Sequence, residues 1–104
     1  MDVQLKRGVL EICVLSAMLS EETYGYELIK KISPYVEISE STLYPILRRL
    51  ETGGFVRVRS AEHNGRVRKY YSITADGKKK IREFLTDWAD IVKIYEFIKG
   101  EYNE

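Results

Sequence analysis

The chain has 104 residues, 44% of them hydrophobic and 32% charged, and it contains no repeat or low-complexity tract. A chain of this length forms one domain near the lower limit for a self-sufficient core, so completion of the core by a second copy is expected. The single cysteine, Cys13, excludes an intramolecular disulfide and is typical of a reducing compartment. Its apolar runs are too short to span a bilayer, which predicts a cytoplasmic protein with no membrane partner.

Charge is distributed unevenly along the chain. Residues 41–80 hold ten Lys/Arg against three Asp/Glu, a net charge of +7, whereas residues 1–40 and residues 81–104 each carry −3. A basic stretch between acidic ends is typical of a surface that binds nucleic acid. A merely solvated basic loop would show the same distribution, so charge alone leaves both interpretations open.

The first part of the chain has the apolar spacing of helices. Residues 4–19 are apolar on nearly all sides, which predicts a helix buried both in its own core and against a second subunit. Thr23 is a suitable N-cap for a second helix, which Pro34 ends. The β-branched ends of residues 36–38 predict a very short strand.

A third helix is predicted from an N-cap at Ser39 or Ser41 to about Thr52, where Gly53-Gly54 ends it. Its buried side is a stripe of one isoleucine and three leucines at helical spacing. A proline at the end of the first turn stiffens the start of the helix without breaking this stripe, because its ring there faces chain that is not yet fully helical.

The opposite side of this third helix is polar and basic. Arg48 and Arg49 lie on this polar side. There they can donate hydrogen bonds to phosphates and base edges. The N-terminal part of such a helix enters the major groove in a helix-turn-helix, so the pattern predicts a recognition helix. A solvated helix face with two exposed arginines is the alternative. The residues predicted to contact DNA are Ser39, Ser41, Thr42, Tyr44, Pro45, Arg48 and Arg49.

The apolar period then changes from helical to alternating. Residues 55–62 and 66–74 are rich in Val, Tyr and Ile and predict two strands. The Asn-Gly pair between them is a strong hairpin signal, because both turn positions need positive φ. Basic groups beside a tight turn suit a wing that contacts the phosphate backbone or the minor groove. The predicted wing contacts are His63, Asn64, Gly65, Arg66, Arg68 and Lys69, although His63 better fits an exposed turn residue.

A last helix is predicted over residues 75–99, with Thr74 as its cap and Asp76 near its positive end. Apolar residues follow a heptad a/d spacing from Ile81 to Tyr102, over three heptads. At 1.5 Å per residue such a helix is about 37 Å long, too long to lie wholly on so small a core. Dimerisation is therefore the expected use of this helix.

The order of elements predicts a mainly α fold with a small β-hairpin (α+β). We expect a winged helix-turn-helix DNA-binding domain in residues 1–74 and a C-terminal dimerisation helix in residues 75–104, together one compact unit. With one His and one Cys, the sequence offers no metal cluster, no cofactor site and no nucleophile–base pair. An enzyme is therefore not expected.

Family likeness is carried by five segments, namely GVLE (8–11), YGYEL (24–28), STLYPILRRLE (41–51), GGFV (53–56) and GRVRKYYSIT with a glycine three residues later (65–77). Together these segments resemble the PadR family of transcriptional regulators over nearly the full chain. Two positions depart from the family pattern, which usually has Gly where Ser41 stands and Pro where Val67 stands.

The resemblance implies a dimeric winged-helix repressor of the short branch, with a single C-terminal helix. Two-fold symmetry would then imply an inverted-repeat operator in double-stranded DNA. In this branch a tryptophan on the last helix can line an apolar cavity between subunits, where some members take up planar aromatic effectors. The residues that would form it here are Leu10, Val14, Met18, Phe84, Trp88, Ile91 and Tyr95.

Two alternatives remain open at this point. Trp88 could simply fill the dimer interface, as tryptophans at heptad positions can. The whole domain could also be a winged-helix protein-interaction module without DNA binding, although that function gives no reason for the basic middle of the chain.

Overall fold

The computed structural model describes residues 1–103 as four α-helices and one antiparallel hairpin. In chain order the elements are α1 (Val3–Ala17), α2 (Gly25–Ile32), α3 (Glu40–Thr52), β1 (Val56–His63), β2 (Arg66–Ile73) and α4 (Ala75–Tyr102). The α+β winged helix-turn-helix with a C-terminal helix, predicted from the sequence, is confirmed. Glu104, the last residue of the predicted dimerisation segment, lies outside the described residues. No helix among residues 1–103 is long and apolar enough to cross a membrane.

The core lies where α1, α2 and α3 pack together, closed by the base of the hairpin and the start of α4. Its centre is the apolar stripe of α3, whose members are between 0% and 3% exposed. Burial of one such side chain contributes about 1.5–3 kcal/mol, so the stripe decides which side of α3 faces outward. Its members are Leu43, Ile46, Leu47 and Leu50.

The start of α2 differs from the prediction. Thr23 is not the N-cap, because its backbone N–H and carbonyl pair with Tyr71 of β2 at 3.0 and 2.7 Å. Tyr24 takes the cap position instead, without a side-chain hydrogen bond to the helix. The strand predicted at residues 36–38 does not form, and Ile38 packs into the core from irregular chain.

The ends of the first two helices follow from their last hydrogen bonds. Helix α1 ends at Ala17 rather than at Leu19, because the N–H groups of Met18 and Leu19 bond to carbonyls only three residues back. Helix α2 ends at Ile32, two residues before Pro34, and the prediction that Pro34 closes it is confirmed.

Helix α3 begins after Ser39, one of its two predicted N-caps, and Ser41 lies inside the first turn. The Ser39 hydroxyl is 3.0 Å from the Ser41 hydroxyl and 3.3 Å from that of Thr42, so three hydroxyls cluster at the helix start. The predicted end at Gly53-Gly54 is confirmed, and Gly54 adopts a φ of 80°, which favours glycine.

The hairpin is paired in register along both eight-residue strands. Asn64 and Gly65 have φ values of 52° and 76°, the positive values required of a two-residue type I′ turn. His63 pairs with Arg66 as the last residue of β1. The loop between the strands is therefore Asn64-Gly65 alone, and His63, predicted to lie between the strands, instead ends β1 as the exposed first residue of the turn.

The predicted Thr74 cap joins the hairpin to α4. Its hydroxyl accepts the N–H of Gly77 at 3.1 Å and donates to the Gly54 carbonyl at 2.7 Å. Gly77 itself is buried against the base of the hairpin, where a Cβ atom would overlap the Phe55 carbonyl oxygen and lie 2.6 Å from Cγ1 of Ile73. The end of α3, the hairpin and the first turn of α4 are thus tied together.

Helix α4 leaves the core after its first turns. It runs to Tyr102, three residues past the predicted end, and gives the molecule a long dimension of 60 Å against widths of 26 and 21 Å. Every residue from 85 to 103 is exposed. The outer two-thirds of α4 therefore contributes nothing to the core of a single chain.

Candidate nucleic-acid interface

The residues of α3 that leave the core form an outward row and two flanks. Each residue turns the helix by about 100°, so the buried stripe fixes the opposite row. That row consists of Ser41, Pro45, Arg48 and Thr52. Tyr44 lies on the flank beside α2 and the hairpin, while Thr42 and Arg49 lie on the flank beside α1. All the predicted recognition residues are accessible at least in part, and Ser39 caps the row at its start.

Tyr44 is fixed in place by a glycine that sequence reasoning did not single out. A Cβ atom on Gly25, at the start of α2, would overlap the hydroxyl of Tyr44 and lie 3.0 Å from Cζ of its ring. Gly25 therefore lets the Tyr44 ring lie directly on the α2 backbone. The tyrosine remains 38% exposed, so it presents one accessible edge in a defined position.

An open groove of about 530 Å³ separates the start of α2 and α3 from the hairpin. Arg66 and Lys69 on its hairpin wall are exposed and form no ion pair within residues 1–103. Gly65, at the tip of the turn, is the one predicted wing residue outside the groove. The groove is lined by Tyr24, Gly25, Tyr26, Glu40, Tyr44, His63, Asn64, Arg66, Val67, Arg68, Lys69 and Tyr71.

Arg68 differs from its basic neighbours because aromatic rings hold it. Its guanidinium carbon is 3.9 Å from the centroid of the Tyr24 ring and 5.9 Å from that of Tyr70. Those two rings meet edge to face at 5.9 Å, and Arg59 covers Tyr70 at 4.6 Å. Each such cation–ring contact contributes about 0.5–1 kcal/mol when exposed. The cluster thus adds side-chain contacts between the hairpin and the start of α2 to the backbone pairing of Thr23 with Tyr71.

Arg59 is in turn held by a carboxylate. Its Nε and Nη2 donate to the two oxygens of Glu22 at 2.7 and 2.5 Å. This paired hydrogen bonding lowers the pKa of the Glu22 carboxyl. The pair is exposed, so solvent screening leaves it little effect on stability. The pair neutralises the charge of one hairpin arginine. Glu22 and Arg59 are 37 residues apart, so no local sequence pattern indicated the pair.

The predicted residues of α4 lie together beyond the core. The rings of Phe84 and Trp88 are nearly parallel, with centroids 5.6 Å apart and an interplanar angle of 17°. Ile91 and Tyr95 continue the same heptad row and are 44% and 55% exposed. This row is accessible on the described chain.

The three α1 residues predicted to line the effector cavity between subunits do not lie beside this row of α4. Leu10, Val14 and Met18 are 3%, 0% and 1% exposed, inside the chain's own core. The prediction that they line a cavity between subunits is wrong, because the apolar stripe of α3 needs this side of α1 as its packing partner. Helix α1 meets α4 across a separate groove of about 290 Å³, lined by Gly8, Glu11, Ile12, Lys80, Glu83, Phe84 and Asp87.

The arrangement defines a class of protein. The second helix of a helix-turn-helix presents an outward row of polar and basic residues, and a hairpin with free basic side chains lies beside it. Together they make the DNA-binding winged-helix fold. No group of three or more His, Cys, Asp or Glu side chains that could hold a metal ion occurs within residues 1–103.

Comparison with known proteins gives the family. The model of the PadR-like family of transcriptional regulators matches residues 14–83, and the chain belongs to this family. A transcriptional regulator from Streptococcus is 34% identical with a TM-score of 0.80, over 94% of this chain and 99% of that one. A PadR family regulator from Eggerthella lenta is 33% identical with a TM-score of 0.83, over 92% of this chain and 86% of that one.

The fold also matches a structure solved with nucleic acid. Bacillus subtilis PadR in complex with operator DNA is 24% identical, with a TM-score of 0.70, over 74% of this chain and 47% of that one. At this identity the likeness establishes the shared fold.

Proposed function

We propose that this regulator is a sequence-specific repressor that binds an inverted-repeat operator in double-stranded DNA as a homodimer. The observation that carries the proposal is the outward row of α3 beside a groove whose hairpin wall holds Arg66 and Lys69 free of ion pairs within residues 1–103. The operator complex of Bacillus subtilis PadR, which shares the fold, supports it. In this proposal residues 1–74 bind DNA and residues 75–104 form the dimerisation helix.

In this proposal the outward row of α3 contacts bases and the hairpin contacts phosphates. Arg48 stands opposite the buried stripe, where its guanidinium can make two parallel hydrogen bonds to the O6 and N7 atoms of a guanine in the major groove. The hydroxyl of Ser41 lies at the leading end of the same row. Arg66 and Lys69 of the hairpin bind phosphates, which position the protein without reading sequence.

Replacement of Arg48 tests this assignment. Arg48→Ala is expected to lower affinity for a selected operator by about 1–3 kcal/mol, because a bidentate base contact is lost. Binding to random duplex should fall by much less. Fluorescence anisotropy on both DNAs, with the operator obtained by selection from a random library, measures the two affinities.

Lys69→Ala is the matched control for that experiment. It should weaken binding to both DNAs alike and reduce the salt-dependence slope by about 0.9 per phosphate contact. Equal losses on both DNAs for Arg48→Ala would assign Arg48 to the backbone. A wild-type protein that binds no duplex even at low salt would instead favour the protein-interaction module.

Homodimerisation is supported by the exposed part of α4. Several large apolar side chains there are more than half exposed, among them Leu85 at 61%, Phe97 at 66% and Ile98 at 57%. Such a surface is unfavourable in water, and heptad spacing suits packing against an identical helix. A symmetric dimer would place its two α3 helices about one DNA turn apart, roughly 34 Å, which matches an inverted repeat.

A planar aromatic effector is the second part of the proposal. It is supported by the parallel Phe84 and Trp88 rings, which are accessible on the heptad row. In a dimer the two indoles would face each other near the symmetry axis and could hold a flat ring between them. A ligand that favours a different spacing of the two α3 helices would lower operator affinity by its differential binding energy.

The effector proposal is tested by fluorescence, since Trp88 is the only tryptophan. Titration of the DNA-free protein with a planar aromatic dye is expected to quench its emission. Trp88→Ala removes this signal, so its dye binding is measured by equilibrium dialysis, and it should lose dye binding while leaving a folded dimer. Tyr102→Ala, an exposed aromatic at the far end of α4, serves as the control that keeps binding. A Trp88→Ala variant that dissociates to monomers would show that Trp88 only fills the interface.

A further inference from the structure

We propose that Lys6, Arg7 and Arg49 form a second phosphate-binding site, on the flank of α3 that faces away from the hairpin. The ligand is the phosphodiester backbone of DNA. This inference rests on the proposed function and extends the DNA contact to α1, which the sequence pattern assigned only to packing.

The site is a groove between the start of α1 and the outward side of α3, with a volume of about 400 Å³. Leu10 and Ile46, each 3% exposed, lie at its floor where the two helices touch. Three cationic side chains and two hydroxyls stand on its walls, and no acidic residue lines it. The lining residues are Val3, Lys6, Arg7, Leu10, Ser41, Thr42, Pro45, Ile46 and Arg49.

The three cations are available for a ligand. None of them forms an ion pair within residues 1–103. The N-cap Asp2 and Glu11 within α1 are engaged elsewhere, since the Asp2 carboxylate accepts the N–H groups of Gln4 and Leu5 and Glu11 pairs with Lys80 at 3.4 Å. An acid-free groove with three converging cations attracts an anion, and its hydroxyls suit phosphate oxygens.

The position of the groove identifies the anion as DNA backbone. Helix α3 lies between this groove and the groove beside the hairpin. Each groove is lined by one flank of α3. A helix seated in the major groove, about 12 Å wide, has a phosphate backbone on either side. The hairpin reaches one backbone, and the α1 groove holds the other.

This geometry gives different surroundings to two adjacent arginines that the sequence pattern placed on the same side of α3. Arg48 stands in the outward row and faces the bases, whereas Arg49 is turned toward α1 and lines the groove with Lys6 and Arg7. Arg49 is therefore assigned to phosphate binding, together with the hydroxyl of Thr42.

The test is the salt dependence of operator binding by a Lys6→Ala/Arg7→Ala double variant. Loss of two phosphate contacts per subunit is expected to reduce the slope of log K against log salt by about 1.8 per half-site, since each contact releases about 0.9 counterion. The ratio of operator to random-DNA affinity should stay at the wild-type value. Arg7 is exposed, Lys6 is half-buried and neither belongs to the core, so the fold should be retained, and circular dichroism checks this.

A matched control removes the same charge elsewhere. Lys30→Ala/Lys93→Ala alters two exposed lysines that line neither groove, and its slope should stay near that of the wild type. Operators carrying single neutral methylphosphonates locate the contact directly. A methylphosphonate that lowers the operator affinity of the wild type but not that of the double variant marks the phosphate that α1 binds.

The outcomes separate this inference from the function on which it rests. A double variant with the slope of the control overturns the α1 site, while operator binding by the wild type leaves the proposed function standing. A changed operator preference in the double variant also overturns it, because Lys6 and Arg7 would then read bases. A wild-type protein that binds no DNA removes both proposals together.

Discussion

Replacement of Ile91 and Ile98 by aspartate together is expected to convert the proposed dimer to monomers and to lower operator affinity by about 10²–10⁴-fold. Both residues lie on the heptad row of α4 and are 44% and 57% exposed on the described chain. They take no part in its core, so the variant should keep the fold. Two carboxylates on each facing helix would place four charges in an apolar contact, which desolvation and repulsion make unfavourable.

Loss of affinity follows from loss of the second half-site. When two recognition units are joined, the second binds at a high effective concentration, and separation removes that advantage. Analytical ultracentrifugation measures the oligomeric state, and anisotropy measures operator affinity on the same samples. Circular dichroism reports that α4 and the core remain folded.

Thr86→Asp/Ala89→Asp is the matched control. It adds the same two carboxylates to exposed positions of the same helix, outside the heptad a/d row. This variant should remain dimeric and bind the operator nearly as well as the wild type. An Ile91→Asp/Ile98→Asp protein that stays dimeric would refute the proposed interface.

A second large effect is expected at Gly77, where alanine should destabilise a helix that alanine ordinarily favours. In an exposed helix interior the change from glycine to alanine stabilises by about 1 kcal/mol. Here the new methyl group would overlap the Phe55 carbonyl oxygen, and Cγ1 of Ile73 would lie 2.6 Å away. A backbone carbonyl cannot rotate aside, so the base of the hairpin must move.

We expect Gly77→Ala to lower the free energy of unfolding by about 1–3 kcal/mol, the usual range for overpacking. Gly100→Ala on the same helix is the control, because its Cβ would meet nothing within 4 Å. The control should raise the stability slightly. Urea unfolding at one fixed protein concentration measures both, since the stability of a dimer depends on concentration. Stabilisation by both substitutions would contradict the close contact at Gly77.

The elements that the sequence predicted are those with local signals. The Asn64-Gly65 turn depends on two residues that tolerate positive φ, and the Thr74 cap depends on a hydroxyl three residues before an N–H. The apolar stripe of α3 was predicted from helical spacing, which is also a local signal. These features depend on neighbours along the chain, so they can be deduced without knowledge of the fold.

The features that were missed depend on which elements touch. Thr23 pairs with Tyr71 across 48 residues, and Glu22 holds Arg59 across 37. Helix α1 is apolar on two sides, so its sequence alone could not decide whether the side containing Leu10 faces the chain's own core or a partner. In the candidate site, the same limitation hid the position of Arg49, because only the folded chain shows that Arg49 lines a groove with residues of α1.

The junction at the start of α4 makes that helix a lever. Its first turn is fixed to the hairpin and to the end of α3 through Thr74 and Gly77, and the whole helix is 28 residues long. Its length is about 42 Å at 1.5 Å per residue. A tilt of about 5° at the far end, over that length, displaces the attached winged helix by roughly 4 Å. In the proposed dimer, small adjustments at the contact between the two α4 helices would therefore change the distance between the two DNA-binding units by several times as much.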